Sequence, residues 1–203
     1  MRACKYVWIP VVSFGLGATA CSHSQTNSRP LSQQTQASVL SDTLRRNQLQ
    51  DRIELINKEA LRLGQTYKIP FGGNPDTDSL QYWVIQDRPC CMSLQIYPGK
   101  GIIWPIFTAD EKGQLLFVQY KTITPQDSFG IAREEMIYLD QGKVFYCDER
   151  KVTVREGRIN KSLFQQPFAI SPRPLSEIEA EILPYWQKAL DTATRHWLST
   201  KGK

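Results

Sequence analysis

Histidine, which supplies many catalytic bases and metal ligands, is almost absent from this chain. The sequence contains two histidines, His23 and His196, no Cys-x-x-Cys pair and no Gly-x-Ser-x-Gly segment. These absences exclude the thioredoxin, zinc-knuckle and nucleophile-elbow motifs. A nucleophilic pair of His196 with a distant cysteine remains conceivable. The alternative is that His196 is a cation favoured near a helix C-terminus. We predict no catalytic residue, no cofactor and no metal site.

Long hydrophobic runs and a strong excess of one charge are also missing. The most apolar stretch, residues 6–20, is broken by one proline and two glycines and is shorter than the roughly 20 residues of a membrane-spanning helix. The net charge of +5 falls to about +3 if Arg2 and Lys5 leave with a signal peptide. This small net charge argues against nucleic acid as a partner, since nucleic-acid-binding domains concentrate Lys and Arg on one face.

The N-terminus has the parts of a secretory signal, namely a basic start, an apolar run and a small-residue exit. Its last residues, Ala18-Thr19-Ala20, are followed at once by Cys21, and this pattern resembles the lipobox of bacterial lipoproteins. The resemblance implies a signal peptide over 1–20 and a diacylglyceryl group on Cys21. It implies a protein anchored by lipid in the cell envelope, and Ser22 after the cysteine points to the outer membrane. Ordinary cleavage, giving a secreted or periplasmic soluble protein, is the alternative.

A polar segment rich in Ser, Gln and Thr follows the cysteine. Such segments behave as flexible tethers, and a tether favours lipidation because its first residue would be pinned to the bilayer. We therefore predict a lipidated cysteine and tether over 21–37 and a single domain over 38–203. Two or more acyl chains are enough for stable anchoring.

Hydrophobic periodicity predicts an α+β domain. Apolar residues spaced three and four apart predict an N-terminal amphipathic helix over 39–63. Short runs of β-branched and aromatic residues, separated by turns, predict an antiparallel meander of about six to eight strands. A second helical stretch from Ser176 predicts a C-terminal helix with a kink at Pro184. We expect both helices to cover one face of the sheet.

One hairpin carries a second resemblance. The segment Glu135–Val144, with its Asp140-Gln141-Gly142 turn, resembles paired hairpins of uncharacterised bacterial envelope lipoproteins that also begin with a helix. The resemblance implies the same kind of fold and location, and it brings no activity with it.

Three cysteines remain in the predicted domain. One interpretation is a disulfide from Cys147 to Cys90 or Cys91, which an oxidising compartment permits. A single bridge would leave one thiol of the three unpaired, whereas an unlipidated Cys21 would make the count an even four, which argues against lipidation. Buried free thiols are the alternative to a disulfide.

A basic patch is the clearest candidate for contact with an anionic lipid or polysaccharide. Its members are Arg150, Lys151, Arg155, Arg158 and Lys161. A solvated edge strand, protected by its charges from pairing with other chains, is the alternative interpretation.

Apolar residues alternate on both sides of the predicted strands, so one face of the sheet needs a cover that the helices would not supply. The sequence therefore predicts a non-enzymatic envelope lipoprotein, a binding or structural accessory module whose partners are the membrane and another envelope component. A carrier of an apolar ligand on the sheet face is one alternative, and a cysteine-dependent enzyme is another.

Overall fold

A computed structural model of the protein describes residues 33–72, 74, 76–126, 129–155 and 161–201. The predicted signal peptide, Cys21 and most of the predicted tether lie outside these residues. Residues 33–203 form one compact unit. Its elements are α1 (Gln33–Leu63), β1 (Gln65–Pro70), β2 (Ser79–Ile85), β3 (Arg88–Gln95), β4 (Ile102–Ala109), β5 (Leu115–Gln126), β6 (Phe129–Asp140), β7 (Lys143–Arg155), α2 (Lys161–Gln165), β8 (Ala169–Ile170) and α3 (Leu175–Lys201).

The strands of the described residues form one antiparallel sheet in which each strand pairs with the next along the chain. The predicted α+β class is confirmed, because the chain has an N-terminal helix, this eight-stranded meander and a C-terminal helix. Short connections explain the order, because consecutive antiparallel strands can be joined by tight turns. Strand β1 follows α1 directly and has no counterpart among the predicted strands.

The β6–β7 hairpin turns where the sequence predicts it. Gln141 and Gly142 have φ of 50° and 79°, the left-handed region that glycine adopts without a steric penalty. Strand β7 then runs without a break to Arg155, and its Val154 pairs with Gly130 of β6.

Helix α1 begins at Gln33, inside the segment predicted as tether. Its buried side chains contact one face of the sheet. Ile53 packs with Phe117 and Tyr138, and Ala60 packs with Trp83. Leu63, the last residue of α1, is exposed.

Helix α3 lies on the other face, and the expectation that both helices share one face is wrong. Its Ile182 and Trp186 belong to the core that contains Tyr82 and Ile137. Tyr82 is the strand neighbour of Trp83, and successive side chains in a strand point to opposite faces. We call the two sides the α1 face and the α3 face. Pro184 lies inside α3, which continues through it to Lys201.

The two covered faces explain why apolar residues alternate on both sides of the strands. No helix in the described part of the chain is both long and apolar enough to cross a membrane.

Candidate ligand-binding site

The three predicted disulfide partners are free, buried thiols in the structure. Cys147 packs in the core under α3, whereas Cys90 and Cys91 pack with Ala60 of α1. The sheet therefore separates Cys147 from the other two, and the structure contains neither predicted pairing. Cys90 and Cys91 share a face because the pairing of β2 with β3 shifts by one residue between them. Trp83 of β2 is opposite Cys91, and the next residue of β2 is opposite Pro89, so Cys90 has no partner in the register. A bulge of this kind leaves one extra residue in the strand.

No thiol of the described residues is paired with His196. The imidazole Nδ1 lies 2.6 Å from the Tyr82 hydroxyl on the α3 face, with the sheet between it and Cys90 and Cys91. Cys147 lies on β7, and burial raises the pKa of its thiol, which keeps it a weak nucleophile. The geometry thus offers no Cys–His nucleophile.

The predicted basic patch is divided between the two faces. Arg150 turns inward on the α1 face, where its Nε donates to Glu134 Oε2 at 2.7 Å and its side chain is 13% exposed. Lys151 lies on the α3 face, is 57% exposed and places Nζ 3.5 Å from Glu149 Oε1. Arg158 and the side chains of Arg155 and Lys161 lie outside the described residues. Arg150 is therefore not available to an external anion, whereas Lys151 is.

A pocket of about 380 Å³ opens on the α3 face, beside the part of the sheet that α3 leaves uncovered. Its walls come from the start of β4, from strands β5 and β6, from the loop between β3 and β4, and from Glu181 of α3. The lining residues are Pro98, Gly101, Ile102, Ile103, Tyr120, Thr122, Ile123, Thr124, Pro125, Gln126, Ile131, Arg133, Glu135 and Glu181. This volume falls within the range of small-molecule sites, about 300–1,000 Å³.

Cross-strand pairs of β5 and β6 build the long wall of the pocket. The pairs are Tyr120–Glu135, Thr122–Arg133 and Thr124–Ile131. Because residues two apart in a strand share a face, all six side chains project to the α3 side. Alternation in these two strands therefore places polar and charged groups where a fully covered sheet would have apolar ones.

One end of the pocket is a hydrogen-bonded cluster of charges. Arg173 Nη1 donates to Glu135 Oε1 and Oε2 at 3.0 and 3.2 Å, and its Nη2 donates to Glu181 Oε2 at 2.6 Å. Tyr120 donates its hydroxyl hydrogen to Glu181 Oε1 at 2.8 Å. Burial raises the pKa of Glu135 above its ordinary value, against the opposing effects of Arg173 and Arg133. The cluster fixes these side chains before any ligand arrives.

Arg133 is the exception within this wall. Its Nε is fully buried and has no hydrogen-bond partner among the described residues. Such groups are rare in folded proteins because an unpaired buried donor costs about 1–3 kcal/mol. Arg133 is thus a cation in the pocket wall whose Nε donor has no partner in the described fold.

Sequence reasoning missed this pocket because its charged residues are far apart in the chain and sit in strands read as core. The available signal was the alternation of Arg133 and Glu135 with buried neighbours in β6, which marks a polar stripe on one face.

No family model matches the chain, and no curated protein or solved structure is significantly similar to it.

Proposed function

We propose that this protein is a lipid-anchored envelope lipoprotein whose domain is a non-enzymatic binding module, with a small-molecule ligand held in the pocket of the α3 face. The N-terminal pattern around Cys21 supports the anchor. The observation that carries the binding role is the pocket end formed by Glu135, Arg173, Glu181 and Tyr120, where polar groups are fixed by one another. Preorganised polar groups in a partly apolar cavity are typical of ligand sites.

The alternative function, a carrier of an apolar ligand on the sheet face, has less support in this structure. The two helices cover the apolar parts of both faces, so a bare apolar face no longer motivates a carrier role. What remains open is a cavity of mixed character, which favours a ligand with both an apolar body and a polar group.

The anchor is tested by mass spectrometry of the mature N-terminal peptide together with membrane fractionation. We expect an acylated Cys21 and a membrane-bound protein, and a Cys21→Ser variant that is found in the soluble fraction. An unmodified Cys21 in a soluble wild-type protein would refute this half of the proposal.

The binding role is tested by a blocked pocket. Thr122→Trp places an indole in the cavity, whereas the matched Thr66→Trp adds the same group at an exposed site on β1, opposite Trp83 and outside the pocket lining. Immobilised full-length protein is incubated with a small-molecule extract of the cell envelope, and retained molecules are identified by mass spectrometry. We expect wild type and Thr66→Trp to retain a molecule that Thr122→Trp loses. Equal retention by all three proteins, or none by wild type, would overturn the binding role.

A further inference from the structure

We propose that the pocket on the α3 face selects a small organic anion, a carboxylate on an aliphatic body, and that Arg133 binds the carboxylate. This inference rests on the proposed function and names the ligand class of the same pocket.

The first support is the balance of donors and acceptors in the pocket. Arg133 carries five N–H donors, and its buried Nε–H has no hydrogen-bond acceptor among the described residues. Thr122, its neighbour across β5 and β6, adds a hydroxyl to the same wall. Both residues line the pocket, so an acceptor held there would meet a guanidinium and a hydroxyl. A carboxylate fits best, because its two oxygens match the planar fork of a guanidinium.

The acidic groups of the pocket, in contrast to Arg133 Nε, already have hydrogen-bond partners. Both oxygens of Glu135 accept from Arg173, and the two oxygens of Glu181 accept from Tyr120 and Arg173. A cationic ligand would have to compete with Arg173 for these oxygens. An anion meets no such competition at Arg133, so the arrangement favours an anionic ligand over a cationic one.

Lys151 adds positive charge beside Arg133. The two residues are directly opposite each other on β6 and β7, which places their Cβ atoms about 4.5–5.5 Å apart. Like charges in directly opposite positions are unfavourable. Lys151 is mostly exposed, and its Nζ lies 3.5 Å from Glu149 Oε1. An anion beside Arg133 would relieve the repulsion between these two cations.

The rest of the lining indicates the body of the ligand. Ile103 and Ile131 flank the Thr122–Arg133 pair, and Pro98 closes the loop side. These side chains are aliphatic, and among the lining residues Tyr120 is the aromatic one, with its hydroxyl already bound to Glu181. An aliphatic body suits such walls better than an extended aromatic one, which would stack on ring faces.

The test compares four probes by isothermal titration calorimetry on the full-length protein, with buffer or empty lipid nanodiscs as the blank. The probes are cyclohexanecarboxylate, its neutral isostere cyclohexanecarboxamide, cyclohexylmethylamine as the cation, and inorganic sulfate as an anion without a body. Arg133→Met removes the proposed anchor. Arg62→Met removes the same charge from an exposed site on α1 and serves as the matched control.

We expect the carboxylate to bind more tightly than the amide, the amine and sulfate. Arg133→Met should weaken carboxylate binding about ten- to a hundredfold, the range for hydrogen bonds to a charged group, and should weaken amide binding less, because the neutral carbonyl accepts a weaker hydrogen bond. Arg133→Lys should bind the carboxylate with an affinity between those of wild type and Arg133→Met, because lysine keeps the positive charge and lacks the planar pair of donors. Arg62→Met should bind like wild type.

Other outcomes overturn the inference and separate it from the proposed function. Equal binding of carboxylate and amide, insensitive to Arg133→Met, rejects the anion while keeping the pocket as a site. Preference for the amine rejects it in favour of recognition by the glutamates, and preference for sulfate rejects the aliphatic body. If no probe binds but Thr122→Trp still abolishes retention of an envelope molecule, the ligand class is wrong and the binding role stands. If that retention also fails, both are wrong.

Discussion

Glu134 and Glu135 are neighbours on β6, and each is almost fully buried, yet they belong to two different kinds of charged cluster. Glu134 faces the α1 side, where Arg150 donates to one oxygen and Gln119 to the other, with Lys121 Nζ 3.6 Å away. Glu135 faces the α3 side and shares Arg173 with Glu181 at the edge of the open pocket. The same residue type thus has a closed environment on one face and an open one on the other.

The difference lies in what covers each cluster. On the α1 face, Phe164 of α2 lies over both cations, 5.9 Å from Lys121 and 5.1 Å from Arg150 between charge and ring centroid. On the α3 face, Arg173 is 21% exposed and Glu181 is 36% exposed. A closed, paired cluster serves the fold, since its charges depend on one another. The open cluster borders the pocket, whose wall also holds Arg133 with its unpartnered Nε.

The largest effect is expected from breaking the closed cluster. Glu134→Ala leaves Lys121 and Arg150 without their buried counter-charge, which should lower the free energy of unfolding by about 3–5 kcal/mol. Urea denaturation monitored by circular dichroism measures the loss. In the double variant Glu134→Ala/Lys121→Met, the loss should be smaller than the sum of the two single losses. A loss below about 1 kcal/mol for the single variant would mean that this cluster does not stabilise the fold.

The open cluster should tolerate the same change better. Glu135→Ala removes one acceptor of Arg173, which keeps Glu181 and can be solvated from the pocket side. The expected loss is about 1.5–3 kcal/mol, the range for a hydrogen bond to a charged group, in the same urea assay. If Glu135→Ala proved as costly as Glu134→Ala, the distinction between an open and a closed cluster would be wrong.

The comparison also shows which features of this molecule are local enough to be predicted from sequence. The α+β class, the two long helices and the Gln141-Gly142 turn follow from periodicity and turn chemistry. The pairing of Arg150 with Glu134 does not, because the two residues meet across β6 and β7 and the charge run in β7 looks like one exposed patch. Strand alternation splits that run, sending Arg150 to one face and Lys151 to the other.

Long-range packing explains the remaining differences. Glu179 fits a capping box with Ser176 in the sequence, yet α3 starts at Leu175 and Glu179 Oε2 accepts from the Val144 amide at the β6–β7 hairpin. A hydrogen bond between residues far apart in the chain leaves no local pattern in the sequence that would predict it. For the same reason the pocket was not predicted, since Arg133, Arg173 and Glu181 are brought together only when α3 docks on the sheet.

The pH dependence of anion binding should sharpen the role of Glu135. Burial raises the pKa of its carboxyl, so as the pH falls from neutral the group gains a proton at a higher pH than an ordinary glutamate does, and Arg133 loses a nearby negative charge. Binding of cyclohexanesulfonate, which stays ionised throughout, should tighten by at most tenfold per pH unit, the limit for one linked proton. The charged or titratable groups facing Glu135 are Tyr120, Arg133, Cys147, Glu149, Arg173 and Glu181.

The control for this profile is Glu135→Gln, which removes the titrating group while keeping its size. Calorimetry at each pH should give a flat profile for this variant across the range in which wild type changes. Affinity that fell as the pH fell, or an equal profile in both proteins, would assign the dependence to another group.

The smallest effect is expected for the folding stability of Arg133→Met, and the matched substitution is Arg150→Met. Arg150 holds Glu134 in the closed cluster, so its loss leaves a buried carboxylate with only part of its pairing and should destabilise the protein strongly. Arg133→Met removes the buried Nε that has no partner among the described residues, which stabilises the fold, and it removes a charge near Glu135, which destabilises it. These two effects oppose each other and methionine keeps much of the apolar stem, so the net change should stay within about 1 kcal/mol. Two equal losses in the urea assay would show that Arg133 is part of the structural framework, and the contrast between the two faces of β6 would then disappear.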